Sequence, residues 1–332
     1  MWAATRPLAA VLTLLATAAC TSPTTTRDPT PSTAPPPTTA APPPPTTAAP
    51  PPPTTAAAPP PTSATAPPSP RPTAFNSAAA MSTVRYLAGL GPREATSPAY
   101  LQALTWLEQR FRAAGYQTRR QALRVPAGIS WGVPVRAGTT WNLIATKPGF
   151  NPAAPHRIVG AHLDTVPQAP GAEDNASGVA VLLGTAQLSP RSPTVFVAFG
   201  AEEPRGDGDN RHHYGSRAYV ASLPPAQRNA LRGMVSLDRV GVGTVVPICS
   251  AQADDVALRN EVRAVAARAG VPSRACVNRS SDHWSFVRSG LPGVRLGSTP
   301  YAEYHSARDL PRVVSPAQLG RMGRVVSAWL AG

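Results

Sequence analysis

From Thr21 to Thr73 the sequence cycles through proline, threonine and alanine in runs such as PPPPTTAAPPPPTTAAAPPP, with almost no large apolar side chain. Such a tract cannot bury enough surface to offset its ordering entropy, so it is expected to stay unfolded or to sample polyproline II. Fully extended, it would reach roughly 160 Å, enough to act as a spacer. Threonines beside its prolines suit O-linked sugars. The fold must therefore be built from residues 74–332, which suffice for one α/β domain with a sizeable core.

The segment before the tract reads as an export signal. Arg6 supplies a short positive region, and Leu8 to Ala16 form an apolar stretch too short to span a bilayer as a mature helix. Residues 1–20 end in Thr17-Ala18-Ala19-Cys20, which resembles the lipobox of bacterial lipoproteins, with Thr17 in place of the usual leucine. The expectation is an exported protein held on the extracytoplasmic side of the cell membrane by a lipidated Cys20. The alternative is ordinary cleavage near Ala18 and secretion. The chain has three cysteines. Lipid on Cys20 leaves Cys249 and Cys276 as an even pair for an oxidising compartment. A bridge between them would contribute about 3.5 kcal/mol in the chain-entropy model; two buried thiols are the alternative.

The net charge of +14 raises the question of nucleic acid. Lys147 is the single lysine, and the arginines are scattered without a stripe of interleaved aromatics. A generally basic surface, attracted to anionic envelope polymers, is the plainer reading, with no nucleic-acid partner.

Helical and strand patterns alternate from about residue 80. Ser97-Pro98 opens a helix whose apolar face is Leu101, Leu104, Leu107 and Phe111, ended by Gly115. Apolar runs at Trp141–Ala145, Arg157–Ala161, Thr194–Phe199 and Met234–Leu237 suit buried strands. Ala176–Leu188, Asp254–Ala269 and Ser315–Leu330 suit helices. The alternation predicts an α/β fold with a mostly parallel central sheet and helices on both faces. Ligands of such sheets bind at the carboxyl ends of the strands, beside a switch point.

Acids concentrate where that rule puts a site. Eight of the 17 Asp and Glu residues fall between His162 and Asp238, several directly after predicted strands: HLD at His162–Asp164, EE at Glu202–Glu203, and DRVG from Asp238, while EDNASG from Glu173 opens a helix. A late YHS adds His305. Unpaired carboxylates buried at strand ends are costly. A cation removes the cost, and imidazole with carboxylate suits zinc, an aspartate being able to bridge two ions.

In this order the motifs HxD, DNASG, EE, LDxVG, SDHxxF and YHS resemble the bacterial leucine-aminopeptidase family of co-catalytic di-zinc peptidases, metallopeptidase family twenty-eight. The resemblance covers roughly residues 82–330, including LAGLGPR near Leu87 and NLIATKPG at Asn142. It implies two zinc ions per chain, bridged by Asp174. His162 and Asp238 complete the ligands of one ion, and Glu203 and His305 those of the other. It implies Glu202 as the general base, Asp164 as the group orienting His162, and Tyr304 as a donor to the transition-state oxyanion. Peptides are the implied substrates, and an aminopeptidase is the leading activity. A glutaminyl cyclase of the same fold, a carboxypeptidase and a non-catalytic binding module are the rivals. Cyclases tend to have Ser where this chain has Asn175 and tryptophan where it has Tyr304.

Other residues read more plainly. The connection PRGDGDNRHHYGSRAYV after Glu203 is longer and more polar than the resemblance leads one to expect. Asp207 and Asp209 suit a solvated turn better than a calcium loop. His212 and His213 read as surface residues of that loop, and His156 as exposed. Asp282-His283 stays open between supporting the site and capping a helix, and Trp284 between pocket wall and core.

Overall fold

The computed structural model describes residues 72–332. The expected signal segment, Cys20 and nearly all of the proline-rich tract lie outside them. Ten strands form: β1 (Gln117–Val125), β2 (Gly128–Ser130), β3 (Val133–Val135), β4 (Gly138–Thr146), β5 (His156–His162), β6 (Thr194–Phe199), β7 (Leu231–Asp238), β8 (Val246–Ser250), β9 (Ser273–Val277) and β10 (Gly293–Gly297). The α-helices are α1 (Ser77–Gly89), α2 (Pro98–Ala113), α3 (Gly178–Gln187), α4 (Tyr214–Ala221), α5 (Pro225–Ala230), α6 (Ala257–Arg268), α7 (His283–Val287) and α8 (Pro316–Ala331).

Eight strands make one sheet in the order β1-β4-β6-β5-β7-β10-β8-β9, and β2–β3 form a separate hairpin. Its four central strands, β6, β5, β7 and β10, run parallel. Toward the edges β4 joins β6, β1 joins β4 and β8 joins β10 antiparallel, while β9 lies parallel to β8. The expected mostly parallel sheet is therefore parallel where it is central and mixed at its margins.

Both faces are covered, as a parallel sheet requires. Strand alternation divides the side chains. Val159, Phe196, Ala198, Val235 and Leu237 join the larger core with α1, α2, α3 and α8, while Ile158, Val195, Val197, Phe199 and Met234 pack with Tyr219 of α4 and Phe286 of α7. Local chemistry starts the helices. Asn76, Ser97 and Ser315 accept from the backbone N–H of Ala79, Tyr100 and Gln318, and Pro98 and Pro316 follow the two serines. Each such cap is worth about 1 kcal/mol.

Cys249 on β8 and Cys276 on β9 face each other in register and form a disulfide. His156 departs from expectation: it begins β5 and is buried, its Nδ1 2.9 Å from the Ala154 carbonyl and its ring edge-on to Phe150. Among the described residues, no helix is long and apolar enough to cross a membrane.

Candidate metal centre

The chain passes from β5 to β6 on one side of β5, then crosses to β7 on the other. That reversal is a topological switch point, where the strand ends splay and leave a crevice. Four neighbouring strands deliver their C-terminal ends there: β5 ends at His162, β6 leads into Glu202-Glu203, β7 ends at Asp238, and the loop after β10 carries His305.

Asp174 stands at the centre. Its Oδ1 lies 3.2 Å from His162 Nε2, and its Oδ2 lies 3.1 Å from His305 Nε2. Asp238 Oδ1 is 3.8 Å from His162 Nε2, and Glu203 Oε1 is 3.4 Å from His305 Nε2. Two triads result, His162/Asp174/Asp238 and Asp174/Glu203/His305, sharing Asp174. Tetrahedral ligands about 2.0–2.1 Å from zinc lie roughly 3.3 Å from one another, close to these spacings. Glu203 Oε1 is buried without a hydrogen-bond donor, although it turns toward the imidazole of its own triad. Such an orphaned acceptor is costly unless a cation sits beside it. The donor set therefore fits divalent zinc.

The DNASG string is a clamp on the turn after β7. Asn175 donates to the Leu237 carbonyl at 2.8 Å and accepts from Gly178 and Arg239 N–H. Ser177 Oγ donates to Glu173 O and accepts from Val240 N–H, while the Glu173 carboxylate takes the N–H groups of Gly241 and Val242. Gly178 is obligatory, since a Cβ there would meet the Asn175 side chain and the Leu237 carbonyl. Alternate residues thus hold the Asp238 turn and leave Asp174 between them facing the two imidazoles.

Asp164 meets His162 as expected, but chiefly through its backbone carbonyl, 3.1 Å from Nδ1, with carboxylate Oδ1 farther off at 3.7 Å. The carboxylate instead accepts the N–H groups of Glu202 and Glu203, both at 3.1 Å, and so sets the turn that presents those two acids. Burial pushes its pKa up to about 6 against the pull of His162.

Several contributors carried no assignable sequence signal. Asp309 accepts from the N–H groups of Glu173 and Asp174 and so anchors Asp174 between the two imidazoles. Fully buried Arg93, inside the LAGLGPR string, donates to the carbonyls of Leu87, Leu163, Pro170 and Gly171 and fastens the loop after β5. Buried Arg295 of β10 lies 2.9 Å from Asp238 Oδ1. An odd arginine in an apolar run was the one available hint.

Beside the triads lies a cleft of about 450 Å³, lined by Glu202, Glu203, His305, Tyr304, Trp131 and Arg279 among others. Tyr304 stacks on His305 at 3.6 Å, and Arg239 covers the tyrosine ring at 4.3 Å. Burial, then the Asp174 charge, raises the Tyr304 pKa, so its hydroxyl stays a donor. Trp131, at the tip of the β2–β3 hairpin, is 54% exposed and meets the His305 ring edge-on at 4.3 Å. Glu202 comes within reach of both His162 and Glu203. Asp207 and Asp209 join none of the metal-competent groups among the described residues. Asp282 and His283 are buried, and Asp282 makes no side-chain cap on α7. Trp284 is partly buried beneath Arg279. His213 is buried, against expectation.

Comparison with known proteins agrees with this geometry. Leupeptin-inactivating enzyme 1 of Streptomyces exfoliatus is 30% identical over 201 residues, 58% of this chain but only 41% of that protein. A zinc aminopeptidase from Bacillus subtilis superposes with a TM-score of 0.67 at 18% identity, over 78% of this chain and 95% of its own. The glutaminyl cyclase of Porphyromonas gingivalis does so with a TM-score of 0.65 at 22% identity, over 77% and 98%. At those identities the two structures establish the fold. The model of peptidase family M28 matches residues 142–330, more than half of the chain and every strand end described above, and the chain belongs to that family.

Proposed function

We propose that this protein is an exported, zinc-dependent aminopeptidase that removes N-terminal residues from peptides. The observation that carries the reading is the division of Asp174, whose two carboxylate oxygens face different imidazoles. Such an arrangement suits a pair of ions, one in each triad. When bound, they supply Lewis acidity toward a peptide carbonyl and lower the pKa of water toward neutrality.

The chain's own residues supply the rest. Glu202 sits beside both triads and serves as the base that takes the water proton and returns it to the departing amine. Tyr304, kept protonated and lining the cleft, donates to the oxygen that gains charge. Asn175 and Tyr304 favour peptide hydrolysis over glutamine cyclisation, whose enzymes tend to carry serine and tryptophan there. The neighbouring Bacillus structure is described as a zinc aminopeptidase, in keeping with this reading. Residues 74–332 form the peptidase domain, and a lipid on Cys20 with the proline-rich tract tethers it outside the membrane.

Turnover of aminoacyl-4-nitroanilides, set against N-blocked peptides and N-terminal glutamine peptides, tests the activity. The aminopeptidase reading expects hydrolysis of the first set alone, with about two zinc per chain. Release of C-terminal residues, or ring closure of glutamine, would replace it. Glu202→Gln should cut turnover by roughly 10²–10⁴ with zinc retained. Zinc lost from Glu202→Gln and kept by Glu203→Gln would reverse the roles of the two glutamates.

A further inference from the structure

The polar loop after Glu203 returns to the site it leaves. Arg205 N–H donates to the Arg211 carbonyl, His213 N–H to the Glu202 carbonyl at 2.9 Å, and Tyr214 N–H to the Ala201 carbonyl at 2.8 Å. Gly215 then lies so close to the Gly200 carbonyl that any Cβ would collide with it, which fixes where the loop ends. His213 adopts a left-handed backbone, φ +56°, a conformation that a β-carbon disfavours. The result buries its side chain and brings Nε2 to 3.1 Å from Glu202 Oε1. One residue therefore meets Glu202 twice, with a backbone hydrogen bond to its carbonyl and with an imidazole set as an ion pair against its carboxylate. Among the described residues, the other carboxylate oxygen of Glu202 has no ion-pair partner.

We propose that His213 is a positioning residue for Glu202: its imidazole restrains one carboxylate oxygen, so that the other is the one presented to the reacting water. This rests on the reading of Glu202 as the base. Burial works against charging the imidazole, but the adjacent Glu202 carboxylate outweighs it and raises its pKa, which strengthens the contact. His213 enters neither metal triad, so its contribution lies in orientation. A misplacement of about 1 Å in a reacting group can cost as much as 10²-fold in rate.

The test uses the full chain, zinc-loaded, with the best aminoacyl-4-nitroanilide of the panel. His213→Ala should lower kcat by roughly 10–100-fold with KM and zinc content unchanged. His213→Gln places an amide N–H near the position of Nε2 and should restore most of the rate. His213→Asn tolerates the left-handed backbone, but its shorter amide cannot reach Glu202, so it should behave like alanine. Should the alanine variant not fold, the Gln and Asn pair decides alone. In a Glu202→Gln background, His213→Ala should cost nothing more, because residues acting as a unit are not additive. Wild-type kcat in both the Ala and Asn variants would overturn the proposal, as would an undiminished loss in the Glu202→Gln background. Full activity of Glu202→Gln itself would overturn the assignment of the base, and the role of His213 with it.

Discussion

The two triads of the candidate centre share Asp174 and the same kinds of side chain, yet they are built differently. In the first, His162 and Asp238 are the last residues of adjacent parallel strands, set in register by the sheet. The Asp238 oxygen that faces His162 already has Arg295 at 2.9 Å and Arg239 at 3.7 Å. Arg295 thereby holds the Asp238 carboxyl well below the usual carboxylate range despite its burial. In the second half, Glu203 and His305 come from loops, line the cleft, and pair with no guanidinium among the described residues. Burial pushes the Glu203 pKa up to about 8, and His305 offsets only part of this. A carboxylate with a guanidinium beside it gains less from a metal, and the guanidinium repels the ion. Equal ligands thus imply unequal affinity: the Asp174/Glu203/His305 half should fill first.

The largest effect tests what the halves share. Asp174→Asn should empty both and depress turnover by more than the roughly 10²–10⁴ that loss of a base costs. A variant that still binds one zinc, by elemental analysis, would show that the triads are independent.

Separating the halves comes next. Under one equivalent of zinc, His305→Ala should weaken the first ion by at least about 100-fold, more than loss of an outer-shell partner costs. His162→Ala should leave the first ion tight and remove only the second. Chelator-competition titrations give both constants, and the opposite pattern would invert the ranking.

Arg295→Met sharpens the cause. Without the guanidinium's repulsion the second zinc should bind more tightly. The zinc-free form should meanwhile lose about 3–5 kcal/mol, because Asp238 is left buried and uncompensated. Denaturant melts with and without zinc measure the difference, which metal should largely erase.

The smallest effect on the centre comes from the far edge of the sheet. Replacing both Cys249 and Cys276 by alanine should cost about 3.5 kcal/mol of stability by the loop-closure estimate. Both zinc affinities should stay within about twofold, because β9 touches neither triad.

Legibility followed the range of the interactions involved. The central strands at Arg157–Ala161 and Thr194–Phe199 were readable because both of their faces are buried, which makes them continuous apolar runs. Strand β1, QTRRQALRV, was not, because an edge strand with one solvated face carries few apolar residues. His162, Glu202, Glu203 and Asp238 stood out as polar residues following apolar runs, and the resemblance of the DNASG and YHS strings added Asp174 and His305 as candidate ligands. His213 did not stand out, because a histidine in a polar loop looks solvated until the loop folds back onto the strand it left. Asp164 was visible as a residue, but its task depended on which backbone N–H groups came within 3.1 Å.

By itself the sequence marked strand segments at 141–145, 157–161, 194–199 and 234–237 and a concentration of acids and histidines able to ligate a metal. Each follows from composition or from periodicity within a few residues. Tertiary structure alone decided that Asp174 faces two imidazoles, that Arg295 occupies one side of Asp238, and that His213 reaches Glu202. Those meetings join residues brought together by strand order and register, and no local pattern encodes the partner across the sheet.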